Sequence, residues 1–205
     1  MSANWPFLLL VFLLPFGTSN KEAEPMWDLI KHEEDIRVYT RNNTISEIKE
    51  IRITLTVKST MDKIVDVLSD VPLYTDWVYK CSISNKIISK SKNEFYYYVV
   101  TDLPSPFDDR DLIVHSKHWI DQTTGIFHSK SMADNKLVKE KEDYVRITNF
   151  VSSWEVKPLG NDLFYIEYQA QSNPAGNIPV WLINMAIAKG PYETMTAFKK
   201  LVITP

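Results

Sequence analysis

The C-terminal stretch of the chain carries its longest pattern of apolar positions. After a turn cluster at 173–177 (Asn-Pro-Ala-Gly-Asn), apolar side chains recur at steps of three and four residues, the period of an α-helix. They are Trp181, Leu182, Met185, Ala188, Tyr192, Met195, Phe198 and Val202. Pro179 suits the first turn of a helix, where its missing N–H would have no partner. We therefore expect one long helix that runs to Val202, kinked but not ended by Gly190-Pro191.

The first half of this predicted helix is apolar on more than one face. No charged residue occurs from Ile178 to Ala188, and Val180, Ile183 and Ile187 extend the apolar surface beyond one stripe. A helix that lies on a single sheet needs only one such stripe. Two interpretations follow. Either the helix is buried on most sides, or one face packs on a sheet while another meets a transient apolar partner.

Most of the remaining chain has the pattern of β-strands. Ile51, Ile53, Leu55 and Val57 alternate with polar residues, as in a half-buried strand. A short helix follows at 61–68, with Ser59 or Thr60 as its N-cap. Further strands are predicted at Ile36–Arg41, Ser82–Lys90, Phe95–Thr101, Asp111–Ile120, Ile126–Ala133, Asp143–Val151, Ser153–Pro158 and Leu163–Gln171, whereas Met26–Glu34 is expected to form a short helix or an irregular segment.

This order of elements predicts the α+β class. Two strands and a short helix precede a long antiparallel meander, and one long helix ends the chain. We expect a curved antiparallel sheet that grips the C-terminal helix. Such a grip leaves room for an internal hydrophobic tunnel.

The N-terminus resembles a secretory signal peptide. Residues 1–20 contain no charged side chain, and Phe7–Phe16 is almost purely apolar but too short to span a bilayer. Gly17 and Ser19 supply the small residues of a cleavage site. We predict a signal peptide at 1–20 and one domain at 21–205, exported to the periplasm or secreted. An uncleaved membrane anchor is the alternative.

Composition narrows the possible partners. The 205-residue chain has 24% charged residues and a formal net charge of −3, so no basic surface points to nucleic acid. Its single cysteine, Cys81, cannot form an internal disulfide. We expect a monomer.

Two motifs carry a family resemblance. The run 106–111 (Pro-Phe-Asp-Asp-Arg-Asp) precedes a predicted strand, and the run 173–184 (Asn-Pro-x-Gly-x-Ile-Pro-x-Trp-Leu-x-Asn) opens the C-terminal helix. With the element order from Trp27 to Val202, they resemble the START lipid-transfer domain of the helix-grip superfamily. The resemblance implies a tunnel that holds one lipid or sterol, without a cofactor or catalysis. It also implies a lid formed by the helix and a neighbouring loop, with transient contact with a membrane surface.

The chain departs from the family pattern at two positions. Many members have two glycines where this chain has Ala175-Gly176. The alanine should make a lid hinge at this position stiffer. Sterol and phospholipid members often carry a second arginine where this chain has Ser116, so the head-group chemistry is left open. The candidate lid and hinge residues are Ala175, Gly176, Ile178, Gly190 and Pro191.

The candidate ligand-binding residues are aromatic or belong to the predicted lid, apart from one arginine. Aromatic side chains combine apolar bulk with polar tips, although core packing is the alternative for each of them. The set comprises Trp77, Tyr96, Tyr98, Trp119, Trp154, Tyr168, Trp181, Leu182 and Met185. Arg110 offers a rigid fork of donors suited to a phosphate or carboxylate. A salt bridge between Arg110 and Asp108, Asp109 or Asp111 is the alternative.

No enzyme motif stands out. His115 and His118 are three residues apart on a predicted strand and should face opposite sides, so we predict no metal site. No Gly-x-Ser-x-Gly elbow or phosphate-cradling glycine loop occurs. Two alternatives to a lipid carrier stay open. One is an enzyme of the helix-grip superfamily that acts on an apolar substrate in the same cavity. The other is a structural or interaction domain with a solid core.

Overall fold

Ten strands form a single sheet in the computed structural model, which describes residues 26–43, 46–187 and 189–203. The predicted signal peptide at 1–20 lies outside these residues. The strands are β1 (Asp28–Glu33), β2 (Ile36–Arg41), β3 (Glu50–Lys58), β4 (Cys81–Ser91), β5 (Glu94–Thr101), β6 (Arg110–Ile120), β7 (Phe127–Ala133), β8 (Val145–Arg146), β9 (Asn149–Gly160) and β10 (Leu163–Asn173). Their order is β1-β2-β3-β10-β9-β7-β6-β5-β4, antiparallel throughout, and β8 pairs in parallel with β6.

Four α-helices accompany the sheet in the described part of the chain: α1 (Met61–Ser69), α2 (Tyr74–Trp77), α3 (Val180–Ala186) and α4 (Lys189–Val202). A 3₁₀ turn at Val71–Leu73 joins α1 to α2. Thr60 is the N-cap of α1, and its side chain accepts a hydrogen bond from Lys63 N at 3.2 Å. None of the helices within the described ranges is long and apolar enough to cross a membrane.

The inner face of the sheet closes around α4. Met195, Phe198 and Val202 of α4 are completely buried. They share one core cluster with apolar side chains of the sheet and of α1, among them Val38, Ile53, Leu55, Ile64, Val156 and Ile166. The predicted fold class, an antiparallel sheet gripping a C-terminal helix, is confirmed.

The prediction of one kinked C-terminal helix is wrong, because the structure has two helices there. α3 ends at Ala186 and α4 begins at Lys189, so Gly190 and Pro191 lie in the first turn of α4. In a first turn the missing N–H of proline breaks no hydrogen bond. A β-carbon on Gly190 would lie 3.0 Å from Tyr79 Cδ1, so this glycine lets α4 start against the Tyr79 ring.

The predictions for two other parts of the chain also need correction. Met26–Glu34 contains β1, which joins β2 through Glu34 and Asp35, both at positive φ (49° and 63°). Positive φ at both central residues is typical of a tight type I′ hairpin turn, here without the glycine that would reveal it in a sequence. The strands predicted at 143–151 and 153–158 are instead the short β8 and the continuous β9. The ladder continues through Ser152 and Ser153 because both pair with β7 and β10.

Candidate functional site: an interior cavity

A cavity of about 330 Å³ lies between the inner face of the sheet and helices α2 and α4. This volume is near the lower end of the ~300–1,000 Å³ that is typical of small-molecule pockets. Its walls include Ile51, Leu68, Tyr74, Trp77, Tyr79, Cys81, Tyr97, Val99, Leu112, Val114, Phe150, Trp154, Tyr168, Gly190, Pro191 and Met195. The interior is therefore hollow, which does not fit the solid-core alternative.

Aromatic rings form much of the cavity wall. Trp154 and Tyr168 are directly opposite each other on β9 and β10, with ring centroids 4.6 Å apart. Trp77 of α2 meets Tyr74 edge-on at 5.2 Å. Three of the predicted ligand-binding aromatics, Trp77, Trp154 and Tyr168, thus line the cavity. The Trp77 indole N–H is buried and has no hydrogen-bond partner among the described residues.

Three serines cross the cavity wall in one row, hereafter the serine row. Ser116 of β6 is paired in register with Ser131 of β7, and Ser131 with Ser152 of β9. All three line the cavity, and the Oγ atoms of Ser116 and Ser131 are 2.9 Å apart. The serine row was not predicted from the sequence. The sequence signal for it is a serine at a strand position that should face inward. In β6, Leu112 and Val114 occupy the two preceding inward positions and Ser116 occupies the next.

The serine row also contacts a buried histidine, and two tyrosines line the same cavity. His118 Nε2 is 3.0 Å from Ser116 Oγ, and its Nδ1 is 3.4 Å from Ser69 Oγ. Burial, with the positive charge of Lys86, lowers the pKa of His118 from 6.5 to about 4. Burial raises the pKa of Tyr97 well above its usual value, partly offset by a hydrogen bond with Ser131. All these groups are uncharged at neutral pH.

The other polar wall residues are also neutral. Burial raises the pKa of Tyr168 to about 12, partly offset by a hydrogen bond with Ser152. Burial, with the nearby charge of Asp102, raises the pKa of the Cys81 thiol to about 11. A thiol with such a pKa is a poor nucleophile near neutral pH. Among the described residues that line the cavity, none carries a charge at this pH.

Three predicted aromatics lie on the opposite face of the sheet. Tyr96 stacks on His115 with centroids 4.3 Å apart, and Trp119 is 40% exposed. Tyr98 packs in a separate cluster with Val100 and Ile113. The reason is strand alternation, since Tyr97 is the tyrosine of β5 that faces inward. Tyr96, Tyr98 and Trp119 are therefore not part of the cavity wall. His115 lies on this outer face and His118 on the inner one, as the sequence spacing predicted.

Arg110 anchors the turn that follows β10. Its guanidinium donates to the backbone oxygens of Pro174 (2.9 Å, from Nε) and Ala175 (3.1 Å, from Nη2), and also to the backbone oxygen of Asp108. Burial lowers the pKa of Arg110, an effect opposed by the charges of Asp108 and Asp109. Among the described residues, these contacts take the place of the expected salt bridge to an aspartate side chain, and Arg110 does not line the cavity. Its role in ligand binding stays a prediction. Arg110 holds a loop in place.

The anchored turn continues directly from the cavity wall. Ser172 is the last wall residue of β10, and Asn173 begins the turn by accepting a hydrogen bond from Ala175 N at 2.9 Å. Ala175 and Gly176 both have positive φ, 55° and 67°. Ile178, which follows, is partly buried. These residues connect the cavity wall to α3, which is where a lid hinge would act. The hinge itself stays a prediction.

Helix α3 presents a tryptophan to solvent. Trp181 is 67% exposed and Leu182 is partly buried, and neither side chain lines the cavity. Met185 belongs to the same helix, but its side chain lies outside the described part of the structure. Asn184 joins α3 to a neighbouring loop, since it accepts from Lys49 N at 3.1 Å and donates to Glu47 O at 3.2 Å.

The residue after Arg110 forms a second anchor on the outer face. Asp111 receives two hydrogen bonds from the Arg146 guanidinium, at 2.7 and 2.8 Å. Both side chains are almost fully buried. Arg146 also donates to the backbone oxygens of Val138 and Lys139, so it holds the segment before β8 against the sheet. Within the described ranges, no group of three or more His, Cys, Asp and Glu side chains is placed to hold a metal ion.

A sheet that grips a helix around a hollow, largely apolar interior defines a cavity-bearing protein of the helix-grip type. The chain belongs to the START domain family, which its residues 16–202 match.

Individual relatives agree with this assignment. An uncharacterised protein of Pseudomonas aeruginosa is 26% identical over 186 residues, which cover 90% of either chain. A crystal structure of a STAR-related lipid transfer protein from Xanthomonas axonopodis is similar, with 28% identity and a TM-score of 0.79 over 85% of this chain and 97% of that one. Human StAR-related lipid transfer protein 5 shares the fold, with a TM-score of 0.77 at 15% identity, over 86% of each chain.

Proposed function

We propose that this protein binds one lipid or other hydrophobic small molecule in its interior cavity and carries it between membranes without catalysis. The cavity of about 330 Å³, with its aromatic and aliphatic walls, is the observation that carries the proposal. Each CH₂ group removed from water contributes roughly 0.8 kcal/mol, so a carrier must offer a dry interior in place of the bilayer. The similar Xanthomonas protein is named for lipid transfer, which supports the same assignment.

Helix α3 is the proposed point of membrane contact. Trp181 is 67% exposed, on a helix without charged residues. Tryptophan favours the boundary between water and lipid, because its ring is apolar and its N–H is polar. We further propose that residues 1–20 direct the protein out of the cytoplasm and that the mature domain acts as a monomer.

Mass spectrometry of organic extracts from the purified protein tests the binding proposal. The expected result is a defined lipid at close to one molecule per chain, whereas only traces of mixed lipids would contradict it. Val114→Phe introduces a ring into the cavity from the inner face of β6 and should reduce the bound lipid strongly. His115→Phe places the same ring on the outer face of the same strand and is the matched control.

A second candidate function is hydrolysis of an apolar ester in the same cavity. The observation that favours it is the 3.0 Å contact between Ser116 Oγ and His118 Nε2, which resembles a nucleophile with its general base. Two features weaken it. A pKa of about 4 makes His118 a weak base, and its other nitrogen faces Ser69 Oγ at 3.4 Å, where a hydrolase has a carboxylate. Ester cleavage that is abolished by Ser116→Ala would establish this function in place of the carrier.

A further inference from the structure

We propose that the cavity selects an uncharged amphiphile, whose single hydroxyl or carbonyl group hydrogen-bonds the serine row. This inference rests on the proposed lipid-binding function and specifies its ligand class. A lipid whose charged group must enter the cavity is excluded.

The geometry of the serine row supports recognition of one neutral polar group. Ser116, Ser131 and Ser152 stand side by side on three neighbouring strands, within a wall that is otherwise mainly apolar. A hydroxyl both donates and accepts, and its proton rotates to suit its partner. The row can therefore donate to a carbonyl oxygen or accept from a hydroxyl.

The partners of the serine row are set by the sheet register. Ser116 contacts Ser131 Oγ at 2.9 Å and His118 Nε2 at 3.0 Å, and Tyr97 lines the same cavity. These contacts orient the hydroxyls before a ligand arrives, which lowers the entropic cost of binding.

The electrostatics of the cavity disfavour a charged group. The lining residues are uncharged, and burial keeps His118 neutral. The Arg110 guanidinium is directed to the backbone oxygens of the turn instead of the cavity. An ion that enters would lose its hydration without gaining a counter-ion, a penalty that lowers affinity by at least about 100-fold.

Four ligands with the same twelve-carbon chain test this selectivity: 1-dodecanol, dodecane, dodecanoate and dodecyltrimethylammonium. Their dissociation constants are measured with the delipidated full chain at neutral pH by displacement of a fluorescent apolar probe. We expect dodecanol to bind at least about 100-fold more tightly than either ion. The ammonium ligand also tests whether the aromatic walls attract a cation, which would overturn the inference.

Variants of the serine row test the hydrogen bond itself. Ser131→Ala and Tyr97→Phe should each weaken dodecanol binding by about fivefold to tenfold and leave dodecane binding unchanged. Dodecane binding also reports that each variant is folded. Ser129→Ala is the matched control, because Ser129 is buried two residues away on the same face of β7 but does not line the cavity.

The outcomes separate the two proposals. If dodecanol and dodecane bind but the variants leave the affinity for dodecanol unchanged, or if an ion binds as tightly as dodecanol, the inference is wrong while lipid binding stands. If none of the four ligands binds, the proposed function fails as well.

Discussion

The guanidinium of Arg110 occupies the space that a side chain on Gly176 would need. A β-carbon at residue 176 would lie 2.8 Å from Arg110 Nη2, and the backbone there has a φ of 67°. The same nitrogen donates to Ala175 O at 3.1 Å. Two features therefore favour glycine at the last position of the Asn-Pro-x-Gly motif. The backbone there is left-handed, and the Arg110 guanidinium leaves no room for a side chain.

We predict that Gly176→Ala lowers the free energy of unfolding by about 1–3 kcal/mol. The left-handed backbone accounts for part of this cost, and displacement of the Arg110 guanidinium for the rest. Chemical denaturation measures the change. Because the two residues are in contact, Gly176→Ala should cost less in an Arg110→Ala background, where only the backbone effect is left. Equal costs in the two backgrounds would show that the contact contributes nothing.

Ala175→Gly provides the opposite change in the same turn. Ala175 has a φ of 55°, which alanine adopts only at a cost. Glycine removes that cost, which stabilises the folded state, but it also raises the entropy of the unfolded chain, which destabilises the folded state. The first effect is the larger, so we expect a net increase in the free energy of unfolding of about 0.5 kcal/mol. A decrease of similar size would mean that the turn does not hold this backbone in solution.

The Asp111–Arg146 pair should couple strongly. Asp111→Asn or Arg146→Met leaves one buried charge without its partner and should lower the free energy of unfolding by about 3–5 kcal/mol. The double variant Asp111→Asn/Arg146→Met removes both charges and should cost much less than the sum of the singles. Urea denaturation of the full cycle checks this, and simple additivity would contradict it.

His118 should make the protein sensitive to acid. Its pKa is about 4 in the folded state against 6.5 when unperturbed, so the unfolded chain takes up the proton first. The neutral His118 therefore adds its full contribution to the free energy of unfolding above pH 6.5. This contribution, about 3 kcal/mol in total, is lost as the pH falls towards 4. Thermal or urea unfolding between these pH values should therefore show a shallower decline for His118→Gln than for the parent. Identical slopes would contradict the buried, neutral histidine.

Local periodicity was enough to predict the fold, because most of its elements are regular. The alternation of Ile51, Ile53, Leu55 and Val57 predicted β3, and the helical steps of Met195, Phe198 and Val202 predicted the helix that the sheet grips. The break between α3 and α4 was missed. A sequence shows that Pro191 interrupts a helix, but whether it bends one helix or begins another depends on contacts such as Gly190 with Tyr79.

The cavity wall was predictable only in part, because residue type does not reveal the face of a strand. Tyr96, Tyr97 and Tyr98 are consecutive tyrosines, and the register with β6 decides that the middle one faces inward. The serine row depends on pairing between distant strands, which places Ser116, Ser131 and Ser152 side by side. Arg110 was predicted to have a functional or ion-pairing role, but two of its partners are backbone oxygens of a turn more than sixty residues away, which local sequence does not reveal.

Trp181→Asp should separate ligand binding from membrane contact. Trp181 is 67% exposed, so its replacement should change the free energy of unfolding by no more than about 0.5 kcal/mol and leave binding of a soluble ligand unchanged. If the indole inserts into the membrane surface, its loss removes about 1–2 kcal/mol of that interaction and slows lipid transfer between vesicles about tenfold.

Leu159→Asp is the matched control for this transfer assay. Leu159 is 58% exposed and lies near the turn between β9 and β10, whereas α3 follows the other end of β10. The eleven residues of β10 separate the two sites by about 35 Å along the strand. The control introduces the same charge at an exposed apolar position, so it should transfer lipid at the parental rate. Equal rates for Trp181→Asp and Leu159→Asp would exclude α3 as the membrane contact, whereas slow transfer by Trp181→Asp alone would place that contact at the helix next to the Arg110-anchored turn.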